Sequence, residues 1–374
     1  MTLDKVRMEI DEIDLQIKEL FQKRIEVSEK VAEIKFKTGD GILKPDREDM
    51  VIQKLTDGMH EELRLEYASF LKKVMEVSRT HQYRKMLSLG HSFQLQFDEK
   101  EKKIDHICYQ GLPCSYSEIT ANRMFPDKNN YPVDTFEEVF QEISRGSAEI
   151  GIVPLENTTA GGVYEVYDLL LKYNLYINYS YIIKIEHCLT GIENAVMGEI
   201  KEIYSHPQAI AQCNEFIKEK DFTAIECSNT AVAAKYIGEQ KDPSKGAVCS
   251  REAAERYGLK VLLEGINHNK ENATKFIAIS DQLFVKPNHN RIAIVFACPH
   301  RSGSLASVLG IFGDYGVNLT EIHSRPDGKN PWEYLFYVDF TGNLKDVQIK
   351  ALFYQLTEEL PYVKILGSYE GINI

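Results

Sequence analysis

Two cations lie where the sequence predicts a buried helical surface. From Val6 to Ile34, apolar residues recur in alternating steps of three and four, the spacing of one helix face. Arg24 takes a position on this face where an apolar residue is expected, and Lys35 follows on nearly the same face, roughly 16 Å further along the helix. Because an unpaired buried charge is costly, the two side chains must reach water, pair with an internal carboxylate, or face an anionic ligand.

Further polar residues are predicted to join these cations from two other helices. Pro45 can open a second helix, with Arg47 and Glu48 in its first turn. A third helix is expected from about residue 61 to 87, and Ser78 and Gln82 lie four residues apart on its inner stripe. The pattern therefore favours an anionic ligand held among three helices.

Arg7 is too far along the first helix to reach the same ligand. It lies about 42 Å from Lys35 at about 1.5 Å per residue, so any contribution must come from a second chain. A helix of over thirty residues also has a longer apolar face than its two shorter successors can cover. We therefore expect a homodimer, or a dimer of dimers.

The spacing of these residues resembles that of the all-helical chorismate mutases, and the resemblance covers nearly all of residues 1–87. The residues that carry it are Arg7, Arg24, Lys35, Arg47, Glu48, Ser78 and Gln82. It implies that Arg24 and a partner's Arg7 bind the two carboxylates of chorismate, with Arg47 assisting near the entrance. It also implies that Lys35 and Gln82 donate to the ether oxygen.

Glu48 and Ser78 are implied to orient the ring side of the substrate. Lys44, three residues before Arg47, departs from the family, which often has an acidic residue there. The rearrangement of chorismate to prephenate needs no nucleophile or cofactor. Holding the compact conformer and stabilising charge on the ether oxygen are enough.

The segment that follows has a different pattern. Residues 88–103 are polar, without a clear period, and are predicted to be a linker. Beyond them, short β-rich runs are mostly followed by helical stretches, which is typical of α/β architecture. About 180 residues of this pattern predict two lobes with a cleft.

Polar and small residues stand at four junctions where helices are expected to follow strands: 111–117, 156–162, 205–209 and 228–231. Helix N-termini favour anions, although each junction alone is most simply a cap. Together with the run NATKF at 272–276, they resemble the prephenate dehydratases in order and spacing over residues 104–284. This fold is two-lobed and similar to that of periplasmic binding proteins.

The resemblance implies that Thr274 donates a proton to the departing ring hydroxyl of prephenate, which loses CO₂ as the ring becomes aromatic. The implied substrate-binding residues are Asn157, Ser205, Gln208, Thr230, Thr274 and Lys275. Lys275 stands where the family usually has arginine, so a bidentate contact to a carboxylate is replaced by a contact with a single ammonium charge. Cys114 and Ser115 replace the more usual Gly-Ala.

The last segment, 291–370, has the order βαββαβ, which predicts a ferredoxin-like fold. The runs GSLA at 303–306, before the first helix, and HSRP at 323–326, after the second strand, resemble the ACT domains that bind amino acids. The resemblance implies phenylalanine as effector, bound by Gly303, Ser304, Leu305, Ser324 and Arg325. His323 replaces the family glutamate. Trp332, the single tryptophan, offers a fluorescence readout of binding.

Composition limits the other possibilities. The formal charge of −12 argues against nucleic acid, and residues 1–87 carry 17 basic against 18 acidic residues, so the acidity lies downstream. Seven scattered cysteines suggest neither disulfides nor zinc, and we expect no metal or cofactor. The charged first twenty residues and the lack of a long apolar run predict a cytoplasmic protein without a membrane span.

The sequence thus predicts a mutase domain at 1–87, a linker at 88–103, a dehydratase domain at 104–284 and an ACT domain at 291–370. We expect a bifunctional enzyme that makes phenylpyruvate for phenylalanine synthesis under feedback by phenylalanine. Two alternatives stay open at this point. One is a dehydratase with a degenerate mutase segment, and the other is a ligand-binding sensor without catalysis.

Overall fold

The computed structural model describes residues 2–326 and 334–371. The chain divides into two compact units. Met1–Gln96 and Arg291–Ile365 form the first, and Phe97–Asn290 and Leu366–Ile374 form the second. The helical segment and most of the βαββαβ segment therefore share one unit, which the sequence did not indicate. The predicted domain boundaries stay predictions.

Three helices open the first unit: α1 (Leu3–Thr38), α2 (Pro45–Thr56) and α3 (Glu61–Ser88). Each lies where its periodicity predicted it. Gly39 ends α1 in the left-handed region, at φ 74°, and its N–H bonds to the Lys35 carbonyl oxygen. Pro45 occupies the first turn of α2, where its missing N–H costs nothing.

In the single chain, α1 packs on α3 mainly through two small residues. Ser28 and Ala32 are buried against α3, with Arg24 and Lys35 partly buried beside them. The apolar residues stay exposed in the single chain, and Leu20, for example, is 64% exposed. Arg24 lines the same cavity as Val27 and Val31 of the apolar face, which agrees with its predicted place on that face.

The segment from Arg291 to Tyr369, whose last four residues belong to the second unit, has the predicted βαββαβ order. Its elements are β12 (Arg291–Ala297), α11 (Ser304–Asp314), β13 (Leu319–Pro326), β14 (Tyr334–Thr341), α12 (Val347–Glu359) and β15 (Tyr362–Tyr369). The strand order β13-β14-β12-β15 is that of a ferredoxin-like sheet. Phe296, Phe312, Phe340 and Phe353 fill its core. Helix α3 packs on both α11 and α12.

The second unit contains two lobes. The first lobe has β1 (His106–Gln110), α4 (Tyr116–Met124), β2 (Asn129–Val133), α5 (Phe136–Arg145), β3 (Ile150–Asn157), β4 (Gly161–Gly162), α6 (Tyr164–Tyr173), β5 (Tyr176–Lys184) and β11 (Ala273–Ser280). Its strands follow the order β5-β11-β3-β1-β2, with β4 paired to β3.

The second lobe contains β6 (Cys188–Gly191), β7 (Glu202–Ser205), α7 (Pro207–Gln212), α8 (Asn214–Glu219), β8 (Thr223–Glu226), α9 (Thr230–Gln240), β9 (Lys245–Cys249), α10 (Arg251–Arg256) and β10 (Lys260–Leu263). A single 3₁₀ turn covers Met197–Glu199. The sheet order is β10-β6-β9-β7-β8.

The chain crosses between the two lobes twice, from β5 to β6 and from β10 to β11. Backbone bonds join the two crossings: Ile185 N–H donates to the Asn272 carbonyl at 2.8 Å, and Ile266 N–H donates to the His187 carbonyl at 2.9 Å. The predicted two-lobed α/β architecture is confirmed. Within residues 2–326 and 334–371, the helices are all too short or too polar to cross a membrane.

Candidate active sites

A cavity of about 790 Å³ lies among the three N-terminal helices. It is lined by Arg24, Val27, Ser28, Val31, Lys35, Asp40, Ile42, Lys44, Pro45, Asp46, Arg47, Glu48, Val51, Met75, Ser78, Arg79 and Gln82. The structure thus brings together six of the seven residues predicted for the mutase site.

Arg24 and Lys35, two of the five cations that line this cavity, bond only to neutral groups. Arg24 donates to the Ser78 hydroxyl and, at 3.2 Å, to the Val74 carbonyl oxygen. Lys35 Nζ donates to the Ile42 carbonyl oxygen at 2.7 Å. In the part of the chain that the structure describes, neither forms an ion pair, and burial lowers the pKa of both. Both side chains therefore keep donor capacity and charge for an anion.

Arg47 and Glu48 lie at the first turn of α2, as predicted. Arg47 is exposed at the rim of the cavity, whereas Glu48 is partly buried. The Glu48 carboxylate accepts two hydrogen bonds from one nitrogen of Arg79, at 2.6 and 2.7 Å. Glu48 is thus held in a fixed position at the wall of the cavity.

Ser78 and Gln82 are buried on the cavity side of α3. The Ser78 hydroxyl donates to the Val74 carbonyl oxygen at 2.8 Å and accepts from Arg24. The buried Oε1 of Gln82 has no hydrogen-bond partner among the described residues. An unsatisfied buried polar atom is costly, and such an atom in a cavity wall indicates a place for a ligand.

Arg7 is the predicted residue that does not reach the cavity of its own chain. Its side chain is 65% exposed near the start of α1 and pairs with Asp4 at 3.7 Å. A contribution from a second chain stays a prediction. Sequence reasoning also missed Arg79, although a charged residue between Ser78 and Gln82 on the inner stripe was a signal.

In the second unit, Asn157 and Thr274 face each other across β3 and β11. Both are buried, and Asn157 Nδ2 lies 2.9 Å from Thr274 Oγ1 and 2.9 Å from Asn272 Oδ1. Because the Thr274 oxygen accepts from Asn157, its own proton remains available for another acceptor. A hydroxyl oriented in this way can donate to a leaving group.

The junction after β3 does not open a helix, contrary to the expectation for 156–162. Asn157 Oδ1 accepts from the backbone N–H groups of Thr159 and Ala160, at 3.0 and 2.9 Å. This side-chain turn brings β4 back onto β3, and α6 starts only at Tyr164. The other three junctions begin helices, as predicted.

Ser205, Gln208 and Thr230 lie at the starts of α7 and α9 in the second lobe. Ser205 is fully buried and donates to the Val248 carbonyl oxygen at 2.6 Å, so its hydroxyl joins β7 to β9. Gln208 is exposed, in the first turn of α7. Thr230 is partly exposed, in the first turn of α9. These positions leave Gln208 and Thr230 accessible and Ser205 internal.

Lys275 and Cys114 are two positions at which this sequence differs from the family pattern, and the structure describes the surroundings of both. Lys275 Nζ donates to the Tyr369 hydroxyl at 3.2 Å and lies 5.5 Å from the centre of its ring. Cys114 adopts a left-handed backbone with φ 67°, a conformation that favours the family glycine and strains a cysteine. Its N–H donates to the Glu118 carboxylate at 2.6 Å, and Ser115 caps α4.

A second cavity, of about 460 Å³, lies at the start of α11. Gly303, Ser304 and Leu305 line it, and Gly303 adopts φ 80° as the N-cap. The buried hydroxyl of Ser304 has no hydrogen-bond partner among the described residues. An unused polar group at a helix N-terminus suits the charged groups of an amino acid.

Ser324 and Arg325 lie in β13, so HSRP ends the second strand and does not follow it as predicted. The reason is cross-strand pairing, because Ser324 and Arg325 are in register with Phe336 and Leu335 of β14. Phe336 also lines the cavity at α11. Trp332 lies outside the described residues.

Comparisons with known proteins match the chain in three consecutive segments. Family models match "Chorismate mutase type II" at residues 6–83, "Prephenate dehydratase" at 107–283 and "ACT domain" at 292–357. The bifunctional chorismate mutase/prephenate dehydratase of Aquifex aeolicus (strain VF5) is 30% identical over 370 residues, which cover 98% of this chain and 97% of that protein.

Two solved structures resemble the C-terminal part of the chain. A prephenate dehydratase from Arthrobacter aurescens in complex with L-Phe has a TM-score of 0.65 at 27% identity, covering 71% of this chain and 90% of that one. GqqA, described as a novel type of quorum quenching acylase, has a TM-score of 0.66 at 28% identity, covering 71% and 98%.

A helical cavity with two cations, a two-lobed α/β module and a ferredoxin-like module define a multidomain enzyme with separate catalytic and regulatory parts. The chain belongs to the bifunctional chorismate mutase/prephenate dehydratase family and ends in an ACT domain. It is an isomerase and a lyase of aromatic amino acid biosynthesis. The two alternatives, a degenerate mutase segment and a sensor without catalysis, are therefore set aside.

Proposed function

We propose that the helical cavity converts chorismate to prephenate and that the Thr274 site converts prephenate to phenylpyruvate, under control of phenylalanine. The observation that carries the first assignment is the pair of partly buried cations in the helical cavity, each bonded only to neutral groups. A small dicarboxylate supplies the missing negative charge.

In the mutase reaction, Arg24 and a partner's Arg7 bind the two carboxylates of chorismate. Lys35 and Gln82 donate to the ether oxygen, on which negative charge develops as the bond to it breaks. Arg47 assists near the entrance. The cavity thereby favours the compact conformer, in which the reacting carbons are close together.

Glu48 and Ser78 orient the ring side of the substrate. Glu48 suits this role because Arg79 fixes its carboxylate at the cavity wall, where it can accept from the ring hydroxyl. Lys44 lines the same cavity and adds positive charge where the family often has a carboxylate.

In the dehydratase reaction, Thr274 donates its proton to the ring hydroxyl of prephenate, which leaves as water, and the Thr274 oxygen then regains a proton from the solvent. The electron pair of the bond to the departing CO₂ completes the aromatic ring. Asn157 supports this role, because its amide donates to Thr274 Oγ1 and orients the hydroxyl proton away from itself. Gln208, Thr230, Ser205 and Lys275 complete the binding site.

Phenylalanine binds at the cavity beside Gly303, Ser304 and Leu305, with Ser324 and Arg325 contributing between paired ACT domains. The complex of the Arthrobacter aurescens dehydratase with L-Phe supports this effector. Feedback follows if phenylalanine has a higher affinity for a state whose dehydratase cleft excludes prephenate.

A homodimer, or a dimer of dimers, is proposed from the exposed apolar face of α1, on which Ile13, Leu20 and Val27 are each about half exposed or more. A cytoplasmic location is proposed as well, and it is supported by the seven free cysteines.

The direct experiment supplies chorismate to the purified protein without metal or nucleotide. Prephenate and phenylpyruvate are followed over time, with and without phenylalanine. Formation of both products, slowed by phenylalanine, is expected. Unchanged chorismate would overturn the assignment of the helical cavity, and prephenate without phenylpyruvate would overturn that of the Thr274 site.

A further inference from the structure

The side chain of Arg79 joins the helical cavity to the C-terminal module. It projects from α3 between the cavity residues Ser78 and Gln82 and is 10% exposed. One terminal nitrogen donates to both oxygens of Glu48 on α2, at 2.6 and 2.7 Å. The Nε donates to Glu359, the last residue of α12, at 2.9 Å.

This geometry leaves Arg79 little capacity for a ligand. Four contacts, the weakest at 3.4 Å, join its guanidinium group to Glu48 and Glu359, and they engage all three of its nitrogens. Removal of Arg79 would leave the buried Glu359 carboxylate without its cation and the partly buried Glu48 carboxylate without the group that fixes its position. Arg79 therefore acts on the cavity through the position of Glu48.

The contact with α12 is itself a buried polar network. Glu359 is 8% exposed and also accepts from Gln355 Nε2 at 3.1 Å. Gln355 Oε1 in turn accepts from the Thr80 hydroxyl on α3 at 3.1 Å. Beside these groups, the rings of Tyr83 and Tyr354 pack edge to face, 5.0 Å apart. Such a network has one well-defined arrangement, because any broken contact leaves a buried polar group unpaired.

We infer that Arg79 is a positioning residue of the mutase reaction, which sets the Glu48 carboxylate in the cavity and makes its position depend on Glu359 of the C-terminal module. The inference rests on the proposed mutase function of the cavity. It adds that the mutase site is completed by a helix of the regulatory module.

The first test compares Arg79→Met, Glu48→Gln and the double variant in the full-length protein. If Arg79 acts through Glu48, Arg79→Met lowers kcat/KM for chorismate by up to about 100-fold, the loss that a misplaced binding group can cause. This loss should be divided between a lower kcat and a higher KM in the same proportion as the loss in Glu48→Gln. The double variant is then no worse than Glu48→Gln. Losses that multiply in the double variant would overturn the inference.

Two controls separate positioning from general damage. Arg84→Met removes an arginine of α3 that also contacts the C-terminal module, at the Asp314 carbonyl oxygen, but does not line the cavity. It is expected to leave mutase activity unchanged. Prephenate turnover by the same preparations reports that each chain is folded. Arg79→Lys keeps the charge but loses the planar guanidinium group, and its mutase kcat/KM is expected to lie between those of wild type and Arg79→Met.

The second test removes the other end of the contact. Glu359→Gln is expected to lower mutase kcat/KM by about 2- to 10-fold, as for one lost hydrogen-bonded partner, with unchanged prephenate turnover. Glu358→Gln, its exposed neighbour on α12, is the matched control and should match wild type. Equal mutase rates in the two variants would overturn the dependence on α12. A wild-type protein that fails to consume chorismate would instead refute the proposed function.

Discussion

The helical cavity and the dehydratase site prepare their polar groups in opposite ways. In the helical cavity, Arg24 and Lys35 are partly buried cations that bond only to neutral oxygens, and burial lowers the pKa of both. In the dehydratase site, the neutral side chains Asn157, Asn272 and Thr274 bond to one another. The first site is completed by the charge of its ligand, whereas the second is ordered before a ligand arrives.

This difference fits the two reactions. A pericyclic rearrangement needs the two ends of a dianion brought together, and fixed cations do this. Loss of water and CO₂ needs a proton delivered at one atom, and a hydroxyl oriented by a neighbouring amide does that. The mutase site should therefore be sensitive to charge, and the dehydratase site to the loss of a single hydroxyl.

The largest effect is expected from Arg24→Ala. Because truncating one partner of a buried charged contact costs about 2–5 kcal/mol, kcat/KM for chorismate should fall by roughly 10²- to 10⁴-fold. Prephenate turnover should be unchanged. Lys30→Ala, on an exposed part of α1, is the control for charge removal. Equal rates of chorismate conversion in Arg24→Ala and wild type would contradict the proposed role of the Arg24 charge in the mutase reaction.

Thr274→Ala tests the other half of the comparison. Loss of the donor should lower dehydratase kcat by about 100-fold or more, the usual contribution of a positioned acid, while chorismate is still converted to prephenate. Thr274→Ser keeps the hydroxyl and should retain most of the rate. An alanine variant as active as the serine variant would show that another group delivers the proton.

Leu20→Asp places a charge on the exposed apolar face of α1 and should dissociate the proposed dimer, measured by light scattering. If Arg7 is supplied by the partner, as proposed, mutase kcat/KM should fall by about 10- to 100-fold, the value of a charge-assisted hydrogen bond. Gln22→Asp, about 200° around the helix, is the control. A monomer with full mutase activity would contradict the role of Arg7.

From the lowered pKa of Lys35 we expect a pH dependence of the mutase activity that the dehydratase activity does not share. Burial, and then the charge of Lys44, lower the pKa of Lys35 from its usual 10.5. The Lys35 ammonium group, which is proposed to donate to the ether oxygen, is therefore lost at a lower pH than for an exposed lysine, and kcat/KM should decline on the alkaline side before pH 10.5. Lys44→Asp should move this decline to higher pH. An unchanged profile in Lys44→Asp would contradict the assignment.

The smallest effect is expected at the effector cavity. Ser304→Ala removes a buried hydroxyl that no described residue bonds. One hydrogen bond to phenylalanine should be lost, which raises the half-inhibitory concentration by about 2- to 10-fold, measured by prephenate turnover. Ser307→Ala, exposed on the same helix, is the control. Equal inhibition of the two variants would place the effector elsewhere.

Local patterns in the sequence predicted the elements with a strong period. The three N-terminal helices, the βαββαβ order and most strands of the two lobes lie where they were expected. The short strand β2 was missed, because its sequence NNYPV has a proline and no alternation. The strands β6 and β10 are only four residues long, so they too have little local pattern to predict them.

Long-range contacts decided what the sequence could not show. Periodicity places Arg24 on the apolar face of α1, and only packing on α3 shows that its partners are Ser78 and the Val74 carbonyl oxygen. Glu359 is 280 residues from Arg79, so no local pattern joins them. At 156–162, the side chain of Asn157 competes for the backbone N–H groups and replaces the expected helix start with a turn.

The most direct test of two separate sites is a mixing experiment with the Arg24→Ala and Thr274→Ala proteins. Each is supplied with chorismate alone and then as an equal mixture, and phenylpyruvate is measured. Each protein alone should form phenylpyruvate far more slowly than wild type, and the mixture should form it much faster than either, because prephenate made by one protein is consumed by the other. A mixture as inactive as its components, or full activity in either variant alone, would contradict the account.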